Sequence, residues 1–289
     1  MKLSIDLGAI RKKLGLYQAI EAVSKAGFDA VDFSFYGSED APELADDGYL
    51  EEAKKIRAFL DEKHIVCNQA HAPFKLTCDD QYDLSEKKFV QIVRSMEVAS
   101  ILGAEHIVVH AIKLPFDCLN DREYFMQHQY EYFMRLKPYC QKFGIKIALE
   151  NIYRTDKKRN AFKGDFQTPE ELCLMVDRLG REDFCVCIDV GHTSLVGYEP
   201  EEFIGRMKKG YVGALHVHDT DYQGDRHVLP YTSLLNWENI TAALKAIEYD
   251  GDFTFEILSF ISRFPNELLG DTLFFANKVG RYLISMVEN

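Results

Sequence analysis

The chain has 289 residues, 47% hydrophobic and 28% charged, with a net charge of −12. That composition supports a large core and excludes disorder, and no run of about 18 apolar residues is present to span a membrane. The acidic balance disfavours binding a phosphate backbone, and the length suits a single α/β barrel of about 250 residues better than an ordinary domain.

Short apolar runs alternate with helical periodicity from end to end. The first run, Leu3–Leu7 of "MKLSIDLG", enters a strand directly, with no charged-then-apolar signal region, so a cytoplasmic protein is expected. Further strands are predicted at Ala30–Phe35, Ile65–Ala70, His106–His110, Lys146–Glu150, Phe184–Asp189, Val212–His216 and Asp252–Ile257. Helices are predicted at Leu16–Ala26, Tyr49–Glu62, Ser85–Leu102, Glu123–Phe143, Pro169–Leu179, Glu202–Lys208, Trp237–Ile247 and Leu268–Val287. Thr168-Pro169-Glu170-Glu171 reads as an N-cap, a first-turn proline and acids set against the helix dipole. Gly27, Gly103, Gly144 and Gly180 follow last apolar turns, as C-terminal caps do. Seven cysteines, mostly within these patterns, suit reduced and buried thiols, and Cys185-x-Cys187 reads as core packing. Phe274, Phe275 and Tyr282 on the last helix either pack on the barrel or support a homodimer.

Eight strands alternating with eight helices give the count of a closed (β/α)8 TIM barrel, in one domain over residues 1–289. The alternative, an open doubly wound sheet, lacks its glycine fingerprint after the first strand: "DLGAIRKKLG" has the wrong spacing. Six strands stop on, or just before, a metal-capable side chain: His71, His110, Glu150, Asp189, His216 and Glu256. In a parallel barrel such residues converge beyond the carboxyl ends of the strands, where active sites lie. Three carboxylates and one imidazole (Glu150, Asp189, His216 and Glu256) form an oxygen-rich set suited to one Mn²⁺, Mg²⁺ or Co²⁺, with Zn²⁺ also fitting.

The motifs "HAPF" (His71–Phe74), "LEN" (Leu149–Asn151), "GDFQTPEEL" (Gly164–Leu172), "IDVGH" (Ile188–His192), "HVHD" (His216–Asp219), "GDRHVLP" (Gly224–Pro230) and "FEI" (Phe255–Ile257) follow one another along the chain. Together they resemble the xylose isomerase-like barrel superfamily, which joins sugar and sugar-phosphate isomerases and epimerases to the three-zinc abasic-site endonucleases. The resemblance to the epimerases implies that Glu150, Asp189, His216 and Glu256 hold one divalent ion, with Glu150 and Glu256 as the acid–base pair. It makes His192 a substrate contact or additional ligand. His218 follows His216 by two positions, so it points the same way but higher in the mouth. His71, His110, Arg154, Arg226 and His227 are further candidates for contacting substrate. The resemblance to the endonucleases implies a larger set of up to three zincs, adding His71, His110, His192, Asp225 and His227 as metal ligands.

Charge separates the two branches. Between Ser38 and Glu52 there are seven Asp or Glu and no Lys or Arg, which would repel a nucleic acid. A basic run (Arg154, Lys157, Lys158, Arg159) follows the fifth strand and could meet a phosphate or acid group. The chain departs from the ketose 3-epimerases where Tyr222 replaces an arginine, around Asp156, and in "TSLLNW" before the helix. The expected function is therefore a metal-dependent isomerase or epimerase of a small sugar, sugar acid or sugar phosphate, acting through a metal-stabilised enediolate. The alternatives are a tri-zinc phosphodiesterase or a non-catalytic metal- and sugar-binding barrel. A small-molecule carbohydrate is the expected partner, with no membrane and no nucleic acid.

Overall fold

The computed structural model describes residues 1–35, 44, 48–74, 86–156 and 161–289. Most of the acidic stretch after the second strand, and Lys157, Lys158 and Arg159, lie outside the described residues.

In chain order the elements are β1 (Leu3–Asp6), α1 (Gly8–Leu14), α2 (Leu16–Lys25), β2 (Ala30–Ser34), α3 (Tyr49–Glu62), β3 (Val66–His71), α4 (Glu86–Leu102), β4 (His106–Val109), α5 (Arg122–Phe143) and β5 (Lys146–Glu150). They continue with β6 (Tyr153–Asp156), β7 (Ala161–Gly164), α6 (Pro169–Leu179), β8 (Phe184–Asp189), α7 (Val190–Leu195), α8 (Pro200–Gly205), β9 (Val212–His216), α9 (Trp237–Ala246), β10 (Phe253–Phe255), α10 (Leu258–Arg263) and α11 (Leu269–Glu288). Eight parallel strands pair in the order β10-β1-β2-β3-β4-β5-β8-β9. The ring is completed by a parallel bridge between Val217 and Phe255. Two backbone hydrogen bonds make that seam: Val217 N–H donates to Thr254 O at 2.8 Å, and Glu256 N–H to Val217 O at 3.1 Å. The expected (β/α)8 barrel is the observed fold.

The strand runs are buried on both faces because helices cover the outside and side chains fill the inside. Phe33, Phe125, Phe133, Phe184, Phe203, Phe253 and Trp237 are fully buried in the main core. A smaller cluster of Val108, Ala148, Cys185, Cys187 and Ala214 packs apart from it. Cys185 and Cys187 are buried free thiols, in keeping with a packing role. Bulges adjust the ring at two places: β3 inserts Asn68 opposite the Val31–Asp32 step, and β9 inserts Gly213 opposite Val186–Cys187.

Three short helices and a hairpin were not anticipated. α1, α7 and α10 are six or seven residues each, too short to show a helical period. The antiparallel β6–β7 pair projects from the end of β5 and contains the start of the basic run. The helix expected at Glu202–Lys208 begins at Pro200, a proline favoured in a first turn. On α11 the buried face is Leu273, Ala276, Gly280, Leu283, Ile284 and Val287, so Phe274, Phe275 and Tyr282 face outward rather than onto the barrel. No described helix is long and apolar enough to cross a membrane.

Candidate metal centre

The strand-end residues meet at one end of the barrel. β3, β5, β8 and β9 end on His71, Glu150, Asp189 and His216, while His110 and Glu256 come one residue after β4 and β10. The ligand atoms at this end form three sets, each within 4.8 Å: His71–His110–Glu150 and Glu150–Asp189–His216–Glu256, which share Glu150, and a separate His192–His218–Asp225–His227.

In the first set, His110 Nε2 lies 2.8 Å from Glu150 Oε2 and 2.9 Å from His71 Nε2. In the second, His216 Nδ1 lies 3.2 Å from Glu150 Oε1 and 3.4 Å from Glu256 Oε2. In the third, His227 Nε2 is 2.9 Å from Asp225 Oδ2, and His192 Nε2 is 3.5 Å from the same oxygen. His218 Nε2 sits 3.0 Å from Asp189 Oδ1, joining the third set to the second.

Local structure holds each group in place. Asn151 of "LEN" exchanges two hydrogen bonds with the Asp189 backbone (2.8 and 2.9 Å), locking the end of β5 to the end of β8. Asp189 caps α7 by accepting from His192 N–H at 2.7 Å. Gly191 is required there because a Cβ would overlap the His218 ring. Asp219 of "HVHD" is a loop anchor, accepting from Trp237 Nε1, Leu235 N–H and Ser233 N–H. His227 adopts φ 44°, and its carbonyl accepts from Ser259 and Phe260 N–H groups at the start of α10.

The donor chemistry fits a divalent cation. Glu150 Oε2, His192 Nδ1 and Asp225 Oδ1 are buried without a well-formed hydrogen bond among the described residues. Burial pushes the His110 imidazole down to about 4, against the pull of Glu150, leaving it neutral and able to ligate. Burial also opposes charge on His192, but Asp189 and Asp225 outweigh it and lift that imidazole to about 9. Asp189 and Asp225 thus favour positive charge at this position.

A pocket of about 240 Å³ opens over the site, walled by Phe74, Ile152, Tyr153 and Leu258 and edged by Lys113. Neither Arg154 nor Arg226 lines it, although both were expected to contact substrate. Arg154 is taken up by Asp165 and by the carbonyls of Leu114 and Ile112, and Arg226 pairs with Asp221 at the surface (2.8 Å). Among the described residues Lys113 is the lysine that lines the pocket, and no arginine does. Its loop is clamped by Gln129, which bonds both the N–H and the C=O of Ile112 (2.9 and 3.0 Å).

Residues 20–272 match a family described as xylose isomerase-like TIM barrel. The chain belongs to that family. A relative by sequence is the uncharacterized protein MJ1311 of Methanocaldococcus jannaschii, 26% identical over 248 residues, spanning 83% of this chain and 78% of that one. Among solved structures, a D-tagatose 3-epimerase-like protein superposes with a TM-score of 0.77 at 20% identity, covering 100% of this chain and 98% of the other. The IolI protein with a bound zinc atom superposes with a TM-score of 0.72 at 18% identity, covering 100% and 98%. At these identities the two structures share the xylose isomerase-like fold with this chain.

Proposed function

We propose that the protein is a divalent-metal-dependent isomerase or epimerase acting on a small sugar, sugar acid or sugar phosphate. The observation that carries this reading is the buried Glu150–Asp189–His216–Glu256 set, with two glutamates from β5 and from the end of β10 meeting under the pocket. A divalent ion held by these four residues would supply Lewis acidity to a substrate carbonyl oxygen. Glu150 and Glu256 take a proton from the carbon beside that carbonyl and return one, the exchange that isomerisation and epimerisation share. Phe74, Ile152, Tyr153 and Leu258 keep water from the reacting carbon, and the imidazoles of His192 and His227 offer hydrogen bonds to substrate hydroxyls. Likeness to a D-tagatose 3-epimerase-like protein supports a carbohydrate substrate.

The test is solvent-deuterium exchange. The chelated protein, reconstituted with Mn²⁺, Mg²⁺ or Co²⁺, should wash deuterium into at least one of a panel of neutral, acidic and phosphorylated ketoses. Glu256→Gln should bind that sugar and fail to exchange it. No wash-in to any member, together with clean cleavage of an abasic duplex, would sink the proposal.

A second reading is favoured by the two flanking sets. His71–His110–Glu150 and His192–His218–Asp225–His227 provide for a polynuclear centre of the kind that hydrolyses phosphodiesters. It requires about three zincs per chain in the native protein, against one ion for the isomerase.

A further inference from the structure

The barrel interior beneath the centre holds a chain of buried polar side chains that runs in one direction. Ser4 Oγ donates to Asn68 Oδ1 (2.8 Å), and Asn68 Nδ2 to Thr254 Oγ1 (3.3 Å). Thr254 Oγ1 donates to Gln69 Oε1 (3.1 Å), and Gln69 Nε2 to Asp32 Oδ2 (2.7 Å). All five are buried, and the bulge at Asn68 lets both Asn68 and Gln69 join. The last member fixes the direction of the rest. A carboxylate only accepts, so Gln69 must turn its amide nitrogen to Asp32, its oxygen then needs the Thr254 hydroxyl, and so on back to Ser4.

Beyond Asp32 lies His216. Its Nε2 is 3.4 Å from Asp32 Oδ2, while its Nδ1 faces Glu150 and Glu256. Asp32 and His216 are each 1% exposed, and Asp32 Oδ1 and His216 Nε2 have no well-formed hydrogen bond of their own. Asp32 Oδ2 accepts from Gln69, Oδ1 is left without a donor among the described residues, and the His216 ring atom turned to this carboxylate is Nε2.

We infer that Asp32 is a positioning residue that holds the His216 proton on Nε2, so that Nδ1 presents its lone pair to a cation at Glu150, Asp189 and Glu256. Gln69 is its support, orienting the carboxylate by donating to the same oxygen that faces His216. A carboxylate behind a ligating imidazole raises the ring's basicity and fixes its rotation. This rests on the metal-binding part of the proposed function and needs no sugar, so failure of the isomerase reading would leave it standing.

Zn²⁺ binding to the full chain, measured by chelator competition, tests it. Asp32→Asn, which keeps the side chain's shape, should weaken Zn²⁺ about 10–100-fold while the metal-free melting temperature holds. In the ¹⁵N spectrum of the Zn²⁺-loaded wild type, the His216 Nε2–H proton should appear shifted downfield, and that shift should be lost in Asp32→Asn. Gln69→Met, which removes the supporting donor, should weaken Zn²⁺ in the same direction. Wild-type affinity in both variants overturns the inference. So does a loss that only tracks the stability of the metal-free fold.

Discussion

Arg154 shows how far a side chain's type can mislead about its use. Its guanidinium lies against Asp165, which is 1% exposed, and its remaining donors reach two carbonyls of the loop after β4. Burial raises the Asp165 carboxyl to about 6, and Arg154 opposes the rise without cancelling it. Removing the cation leaves a buried charge unpaired, so Arg154→Met should cost about 3–5 kcal/mol at pH 8. A carboxyl whose folded pKa is raised stabilises the fold below its unfolded value near 4, and that contribution fades as pH climbs through the folded value. The variant's deficit should therefore be smaller at pH 5, where Asp165 takes a proton; urea midpoints at the two pH values check this. An equal deficit at both would place the damage elsewhere.

The strand-end residues were legible because each interrupts an apolar run with a group that has no reason to be buried alone. Asp32 does the same in "AVDFS", but it sits mid-strand, and the stop-residue pattern passes over it. His218 shares the strand face of His216, yet the spacing does not say that Asp189 lies opposite. Lys113 gave no signal, because its place depends on how Gln129 of α5 folds the loop back.

Among the elements, α11 is held by shape. Gly280 faces Leu3 of β1 and Phe255 of β10 so closely that a Cβ would overlap both. Gly280→Ala should destabilise by about 1–3 kcal/mol in chemical denaturation through overpacking, despite alanine's better helix propensity. A stabilised variant would mean that the helix moves off the strands freely. The long helices and barrel strands could be read from their periods. α7 could not, because "VGHTSL" has no apolar stripe and its formation depends on the Asp189 cap and on residues that close over it. The β6–β7 pair was hidden likewise, since its register is a property of two segments together.

The whole molecule carries a net charge of −12 and gathers several buried carboxylates at one end of the barrel. A ligand that binds the folded state alone stabilises it by about 2.7 kcal/mol at one hundred times its Kd. Chelation should lower the melting temperature by about 5 °C or more, and returning the ion should restore it in proportion to the logarithm of its concentration. A melting temperature indifferent to both would mean that the centre binds no cation in the folded chain.

The seam between β9 and β10 gives that coupling a location. The strands on either side of the bridge carry His216 and Glu256, one residue before Val217 and one after Phe255. An ion gripping both would span the ring's thinnest joint and serve as its clasp. Linkage runs both ways, so whatever tightens the joint tightens the grip, and a barrel that breathes there must first let go.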